Sequence, residues 1–217
     1  MSYSEGILLV DKPAGITSHD VVDVIRRDSG FKKVGHAGTL DPMATGLLIV
    51  LLGSFTKKSI HFTGYDKEYE ATLHLGAATD TGDKEGRVTL QTDLSLFREG
   101  LKGLDRVFGS FKGDISQLPP MFSAKKIKGR KLYELARKGI VVKREPRTVS
   151  IKDIKILGVS LPEVTFLVRC SKGTYIRQLS HDIGEKIGCG AHLTALRRTK
   201  IGPYDLKNAV TLDALKH

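Results

Sequence analysis

Cysteine is scarce in this chain. Two residues, Cys170 and Cys189, stand among 217, too few for a disulfide framework and in keeping with a reducing cytosol. Long apolar runs are missing too. The longest, Leu47–Leu52, is strand-sized and far short of the ~18 residues that a spanning helix needs. The N-terminal stretch Met1-Ser2-Tyr3-Ser4-Glu5-Gly6 has neither the basic n-region nor the apolar h-region of a secretory signal. There is no tryptophan, and aromatics make up only 6%. No internal repeat or low-complexity linker breaks the chain, so composition draws no domain boundary. These absences leave a cytoplasmic chain without a membrane partner, expected to form a single domain over residues 1–217. A chain of this size buries around 70% of its unfolded surface and needs no metal or disulfide staple.

Basic charge, by contrast, is abundant. Thirty-five Lys and Arg against 24 Asp and Glu leave +11, with a pI near 9.6. That is the electrostatic footprint of a polyanion binder. Between Ala124 and Thr148 ten basic residues face two acidic ones, which places eight of the eleven net charges in one segment. Such clustering favours nucleic acid, because neutralising several phosphates together releases condensed counterions. The plainer reading is a solvated basic face. A membrane surface fits less well, since the segment lacks a long apolar face.

The hydrophobic pattern mixes periods. Ile7–Val10 reads as a buried strand ending in the turn Asp11-Lys12-Pro13-Ala14-Gly15. Thr17 and Asp20 make a capping-box pattern before a helix carrying Val21, Val22, Val24 and Ile25, with Gly30 placed to stop it. Tyr69, Ala71, Leu73 and Leu75 alternate with polar residues, as do Val164, Phe166, Val168 and Cys170. Both runs predict strands. Leu132, Tyr133, Leu135 and Ala136 form a short helical stripe ended by Gly139. Ile176, Leu179, Ile183 and Ile187 share one helix face, with Gly188 as the stop. Helices interleaved irregularly with alternating strands predict an α+β fold: a mixed, largely antiparallel central sheet flanked by helices.

The stretch Gly35–Gly46 is the most unusual local sequence. His36, Thr39, Asp41 and Thr45 sit among three glycines. Glycines allow strained turns and close backbone approach, and Pro42 restricts the backbone of Asp41. The alternative is a plain turn, where Asp and Gly are common. It is not a P-loop, lacking a Gly-Lys-Ser/Thr ending, and no hydrolase nucleophile motif appears. In Lys172-Gly173-Thr174-Tyr175-Ile176-Arg177, Thr174 is the expected N-cap, which puts Arg177 in the first helical turn. A cation there opposes the helix dipole, so an ion pair with a carboxylate is its simplest explanation, a solvated surface residue the alternative. Cys170, His181, Cys189 and His192 do not follow a zinc spacing, and Asp80-x-x-Asp83 reads as a turn rather than a calcium loop. No metal site is expected.

The block Gly35-His36-Ala37-Gly38-Thr39-Leu40-Asp41-Pro42-Met43-Ala44-Thr45-Gly46-Leu47-Leu48 resembles the catalytic-loop motif of the TruB family of transfer-RNA pseudouridine synthases. Asp11–Ser18 is similar to that family's N-terminal motif, and Lys67-Glu68-Tyr69-Glu70-Ala71 to its tyrosine strand, followed by the family-like Thr79–Asp83. Lys172–Arg177, continuing through Gly188–Leu193 to Leu196-Arg197-Arg198, matches its last motif.

The resemblance implies the pseudouridine synthase catalytic fold and conversion of uridine 55 in the T loop of transfer RNA to pseudouridine, without cofactor. It implies Asp41 as the catalytic aspartate, Tyr69 as the tyrosine that stacks on the flipped base and aids proton transfer, and Arg177 as the aspartate's partner. Tyr175 and Leu196 match residues lining the uracil pocket, His36 the histidine entering the T loop, and Lys12 joins them as a substrate-binding residue. A basic insertion at about 116–145, with Lys125, Lys126, Lys128, Arg130 and Lys131 on the RNA backbone, resembles the family's RNA-gripping segment. The expected partner is the T loop and stem of transfer RNA, with the chain a monomer needing no protein partner. Because the sequence stops at His217, barely past the last motif, the small C-terminal RNA-binding module usual in the family is not expected in it. A guide-RNA-dependent synthase and a transfer-RNA chaperone are the competing readings.

Overall fold

The computed structural model describes residues 3–123, 126–127, 129–136, 139–140 and 142–215. The chain opens with β1 (Gly6–Lys12), α1 (Ser18–Ser29), β2 (Val34–Ala37), β3 (Thr45–Leu52), α2 (Ser59–Thr63) and β4 (Lys67–Leu75). It continues with β5 (Ala77–Thr79), β6 (Val88–Gln91), α3 (Arg98–Lys102), α4 (Leu104–Gly109) and β7 (Gly113–Gln117). A small hairpin of β8 (Lys126–Ile127) and β9 (Arg130–Lys131) leads to α5 (Leu132–Ala136). The last elements are β10 (Arg147–Ser160), β11 (Glu163–Cys170), α6 (Ile176–Ile187), β12 (Ala191–Ile201), β13 (Tyr204–Asp205) and β14 (Val210–Thr211).

Two compact units result: Met1–Glu70 with Ala195–His217, and Ala71–Thr194. Composition offers no sign of this division because the chain passes from one to the other inside regular strands, β4 and β12, and not through linkers.

In the first unit the strand order is β14-β1-β3-β12-β4, with β2 also on β3 and β13 on β12. β1 runs antiparallel to β3 from Gly6↔Leu52 to Lys12↔Gly46. β12 is parallel to β3 at Arg197↔Thr45 and Arg198↔Gly46. Leu47–Leu52 is a continuous apolar run because both faces of β3 are covered. Leu48, Val50 and Leu52 pack with Val21, Val22 and Ile25 of α1, while Leu47, Ile49 and Leu51 pack with Phe62 of α2. The capping box of α1 forms as its sequence predicts, with Thr17 and Asp20 bonded reciprocally, and Gly30 closes the helix at φ 70°. β1 departs from expectation: of Ile7–Val10 only Val10 is buried. Its other apolar residues lie at the margins of the two clusters, Leu8 against one and Ile7 and Leu9 against the other.

The second unit has the order β12-β4-β11-β10-β7. β10 pairs antiparallel with both β11 and β7, so the sheet is mixed and mostly antiparallel. β11 alternates as predicted, and Phe166 meets Phe108 of α4 edge-on at 5.3 Å. Ile176, Leu179, Ile183 and Ile187 of α6 are all buried, and Gly188 ends the helix at φ 95°. Gly184 lets that helix press on β12; a Cβ there would stand 2.2 Å from the Ala191 nitrogen. The N-cap of α6 is Tyr175, one residue later than expected, and Thr174 instead donates its hydroxyl to the Ser171 carbonyl. A distant side chain fixes the start: Gln117 accepts the Tyr175 N–H at 2.8 Å and donates to its carbonyl at 3.1 Å. β8, β9 and α5 fall within the 116–145 stretch.

Candidate active site

In the first unit, residues 38–44 link β2 to β3 and carry Asp41. Ala44 N–H donates to the Asp41 carbonyl at 3.0 Å, a turn with Pro42 in its second place. The loop is tied down on several sides. Leu40 is buried, its N–H donating to the Ser18 hydroxyl at 2.9 Å. The Pro42 carbonyl accepts from Gly15 N–H at 2.9 Å and from the Lys12 ammonium at 3.2 Å. Lys12 is 0% exposed and donates also to the carbonyls of Pro13 and Ile16, at 2.8 and 2.7 Å. Lys12, which the resemblance sets among the substrate-binding residues, thus lies against the Asp41 loop.

Thr45, at the exit of the loop, donates to the Leu196 carbonyl and accepts from Arg197, which also pairs with Asp11 at 2.7 Å. Tyr69 and Leu196 face inward from the adjacent strands β4 and β12, each 8% exposed. His36 lies on β2. Its Nδ1 is buried and unpartnered among the described residues, and burial, then the Arg198 charge and His19, push its pKa down. One unit thus holds Lys12, His36, Asp41, Tyr69 and Leu196.

The second unit holds Tyr175 and Arg177. Arg177 is 5% exposed, which rules out the solvated reading. It donates to the carbonyls of Thr81 at 3.0 Å and Phe122 at 2.6 Å, and pairs with Asp83 at 3.5 Å. Asp83 accepts in turn from the Thr81 hydroxyl at 2.6 Å and the Glu85 N–H at 3.1 Å. Sequence reading took Asp80–Asp83 for a turn and missed this carboxylate. The signal was the Thr79–Asp83 motif itself, a polar run with an acid for a cation that needed one. Arg147 was missed as well: its guanidinium lies over the Tyr175 ring at 5.3 Å and donates to the phenol at 3.4 Å.

Of the residues expected on the RNA backbone, Lys125 and Lys128 lie outside the described residues. For Lys126, Arg130 and Lys131 only the backbone is described, in the β8–β9 hairpin. Among the described residues no three His, Cys, Asp or Glu side chains gather in a metal-binding group. No helix among them is long and apolar enough to cross a membrane.

Comparison with known proteins gives this site its context. Residues 26–176 match the TruB family pseudouridylate synthase N-terminal domain, and residues 177–217 match the tRNA pseudouridylate synthase B C-terminal domain. The chain belongs to the TruB family. It is thereby an enzyme of an isomerase family. The tRNA pseudouridine synthase B of Syntrophotalea carbinolica is 51% identical over 211 residues, covering 97% of this chain and 68% of the relative. That of Opitutus terrae is 48% identical over 212 residues, covering 98% and 87%. Among solved structures, one of a Cbf5-Nop10-Gar1 complex aligns with a TM-score of 0.74 at 34% identity. The alignment covers 96% of this chain but only 52% of the solved one, so the chain spans about half the length of that protein. The mixed α+β fold is shared with that solved structure.

Proposed function

We propose that this TruB-family chain converts uridine 55 in the T loop of transfer RNA to pseudouridine, with Asp41 as the reactive carboxylate. The observation that carries the reading is 51% identity to a tRNA pseudouridine synthase B over 97% of the chain, together with the Gly35–Leu48 block that resembles the family's catalytic-loop motif. The reaction is an isomerisation. The N1–C1′ bond breaks, the base turns, C5 bonds to C1′, and the proton lost from C5 is balanced by one gained at N1. An ionised carboxylate serves it by attacking C1′ or by stabilising the ribosyl fragment and relaying a proton. Extruding the base costs a few kcal/mol and needs an aromatic and apolar receiving surface, the part assigned to Tyr69, Tyr175 and Leu196. The resemblance assigns Arg177 as the guanidinium that keeps Asp41 ionised, and His36 as the residue that enters the T loop.

An unmodified transfer-RNA transcript, the purified chain and no added guide RNA or protein make the test. Carbodiimide-dependent primer extension is expected to stop at the product of uridine 55 and nowhere else. Modification that appears only after a guide RNA is supplied would replace this reading with the guide-dependent one. Binding without any modification would leave a chaperone.

A further inference from the structure

Among the described residues Arg198 is the largest side chain that the fold buries completely, at 1% exposure. Among the described residues its guanidinium donates to backbone alone. Nε reaches the Leu47 carbonyl at 2.7 Å, one terminal nitrogen the Gly38 carbonyl at 3.0 Å, and the other the Thr39 carbonyl at 3.4 Å. Two of these carbonyls lie three and two residues before Asp41, and the third six residues after it. Among the described residues no carboxylate neutralises Arg198. A buried, uncompensated cation is expensive, and a neutral side chain would fill the same space more cheaply. What a neutral chain lacks is the planar fork that spans three carbonyls at once.

The backbone of Arg198 is equally committed. It lies opposite Gly46 in the parallel β3–β12 pairing, and a Cβ on Gly46 would stand 2.4 Å from the Arg198 carbonyl oxygen. Gly46 also has a φ of 101°, a conformation that glycine alone adopts without strain. Both ends of the Asp41 loop therefore close on one residue, through its side chain at the entrance and through side chain and backbone at the exit.

We propose that Arg198 is the positioning residue of the Asp41 loop, clamping its two ends so that the carboxylate is presented in one geometry. The proposal rests on Asp41 being the reactive group. It predicts that loosening the clamp slows the chemical step and leaves RNA binding alone, because misplacement by about 1 Å costs on the order of 100-fold in rate.

The test compares wild type with Arg198→Lys, which keeps the cation and its alkyl stem but has one nitrogen, and with Arg198→Gln. Single-turnover pseudouridine formation on an unmodified T-stem-loop RNA should fall about 100-fold in Arg198→Lys and further in Arg198→Gln. The Kd for the same RNA should stay within about twofold, and thermal melting should remain cooperative. Backbone hydrogen exchange of residues 38–46 should quicken about tenfold in both variants, while α1 and α6 exchange as in wild type. Should Arg198→Gln fail to fold, Arg198→Lys carries the comparison. A wild-type rate in Arg198→Lys would overturn the proposal, as would a slowed rate with unchanged loop exchange or a Kd that rises in step with the rate loss. If wild type itself makes no pseudouridine, the functional reading has failed. The exchange arm still decides whether Arg198 holds the loop.

Discussion

The buried Asp83–Arg177 pair offers the sharpest stability test. Both side chains are nearly sealed from water, 7% and 5% exposed, so little screening weakens their interaction. Removing one partner of a buried ion pair typically costs 3–5 kcal/mol. Two features place this pair at the lower end. Its separation of 3.5 Å is loose, and Arg177 keeps its bonds to the Thr81 and Phe122 carbonyls. Asp83→Asn retains an acceptor for the Thr81 hydroxyl and the Glu85 N–H, so it isolates the charge. The expected loss is about 3 kcal/mol, read as a drop in Tm of about 6–12 °C for a chain of this size. Asp83→Ala should lose about 1 kcal/mol more through those two bonds. Urea unfolding at neutral pH gives each value, and the double variant Asp83→Asn/Arg177→Met should fall short of additivity by about 1 kcal/mol or more. If Asp83→Asn lies within about 0.5 kcal/mol of wild type, the pair is not what fixes Arg177.

Other consequences are as direct. Lys12→Met keeps the stem but removes the ammonium shared by the Pro13, Ile16 and Pro42 carbonyls, and should cost about 2–4 kcal/mol in urea unfolding. His36 has a pKa below its unfolded value, so the folded state binds fewer protons between the two and loses stability as pH falls through that window. His36 should therefore contribute a rise in unfolding midpoint between about pH 5.5 and pH 7.5, which His36→Gln should remove; an unchanged pH dependence in that variant would remove His36 as a source. His181, raised chiefly by the Asp182 carboxylate 3.7 Å from its Nδ1, acts in the opposite sense: its contribution is complete below about pH 6.5 and is lost as pH rises. If the basic segment grips phosphates, RNA affinity should fall with salt by about 0.7 log units per log of salt for each phosphate neutralised. Reversing Lys125, Lys126 and Lys128 to Glu should then flatten that dependence, and an unaltered slope would leave the segment a solvated face.

Local signals in this chain read true where the physics is local. Thr17 and Asp20 are three residues apart and cap their helix; Gly30 and Gly188 stop theirs; Tyr69–Leu75 and Val164–Cys170 alternate because one face of each is buried. The misreadings are all long-range. α6 begins at Ile176 because Gln117, 58 residues earlier, takes both backbone groups of Tyr175. Arg177 is buried by a turn around residues 81–83, whose carboxylate nothing in the local pattern tied to it. β2 went unread because Val34–Ala37 sits in a glycine-rich stretch, and pairing with Leu52–Ile49 makes it a strand. Of the candidate site, the Asp41 motif was plain in the sequence, while its scaffold was not. Lys12 and Arg198 look like surface cations until the fold wraps carbonyls around them.

The central claim is that the Asp41 carboxylate drives an isomerisation in which C5 of uracil gives up its hydrogen. A transfer-RNA transcript labelled with tritium at C5 of its uridines measures this. Wild type should release one equivalent of tritium per RNA, from the uridine at position 55, while Asp41→Asn binds the same transcript with unchanged affinity and releases none. Release by Asp41→Asn at the wild-type rate would contradict the account.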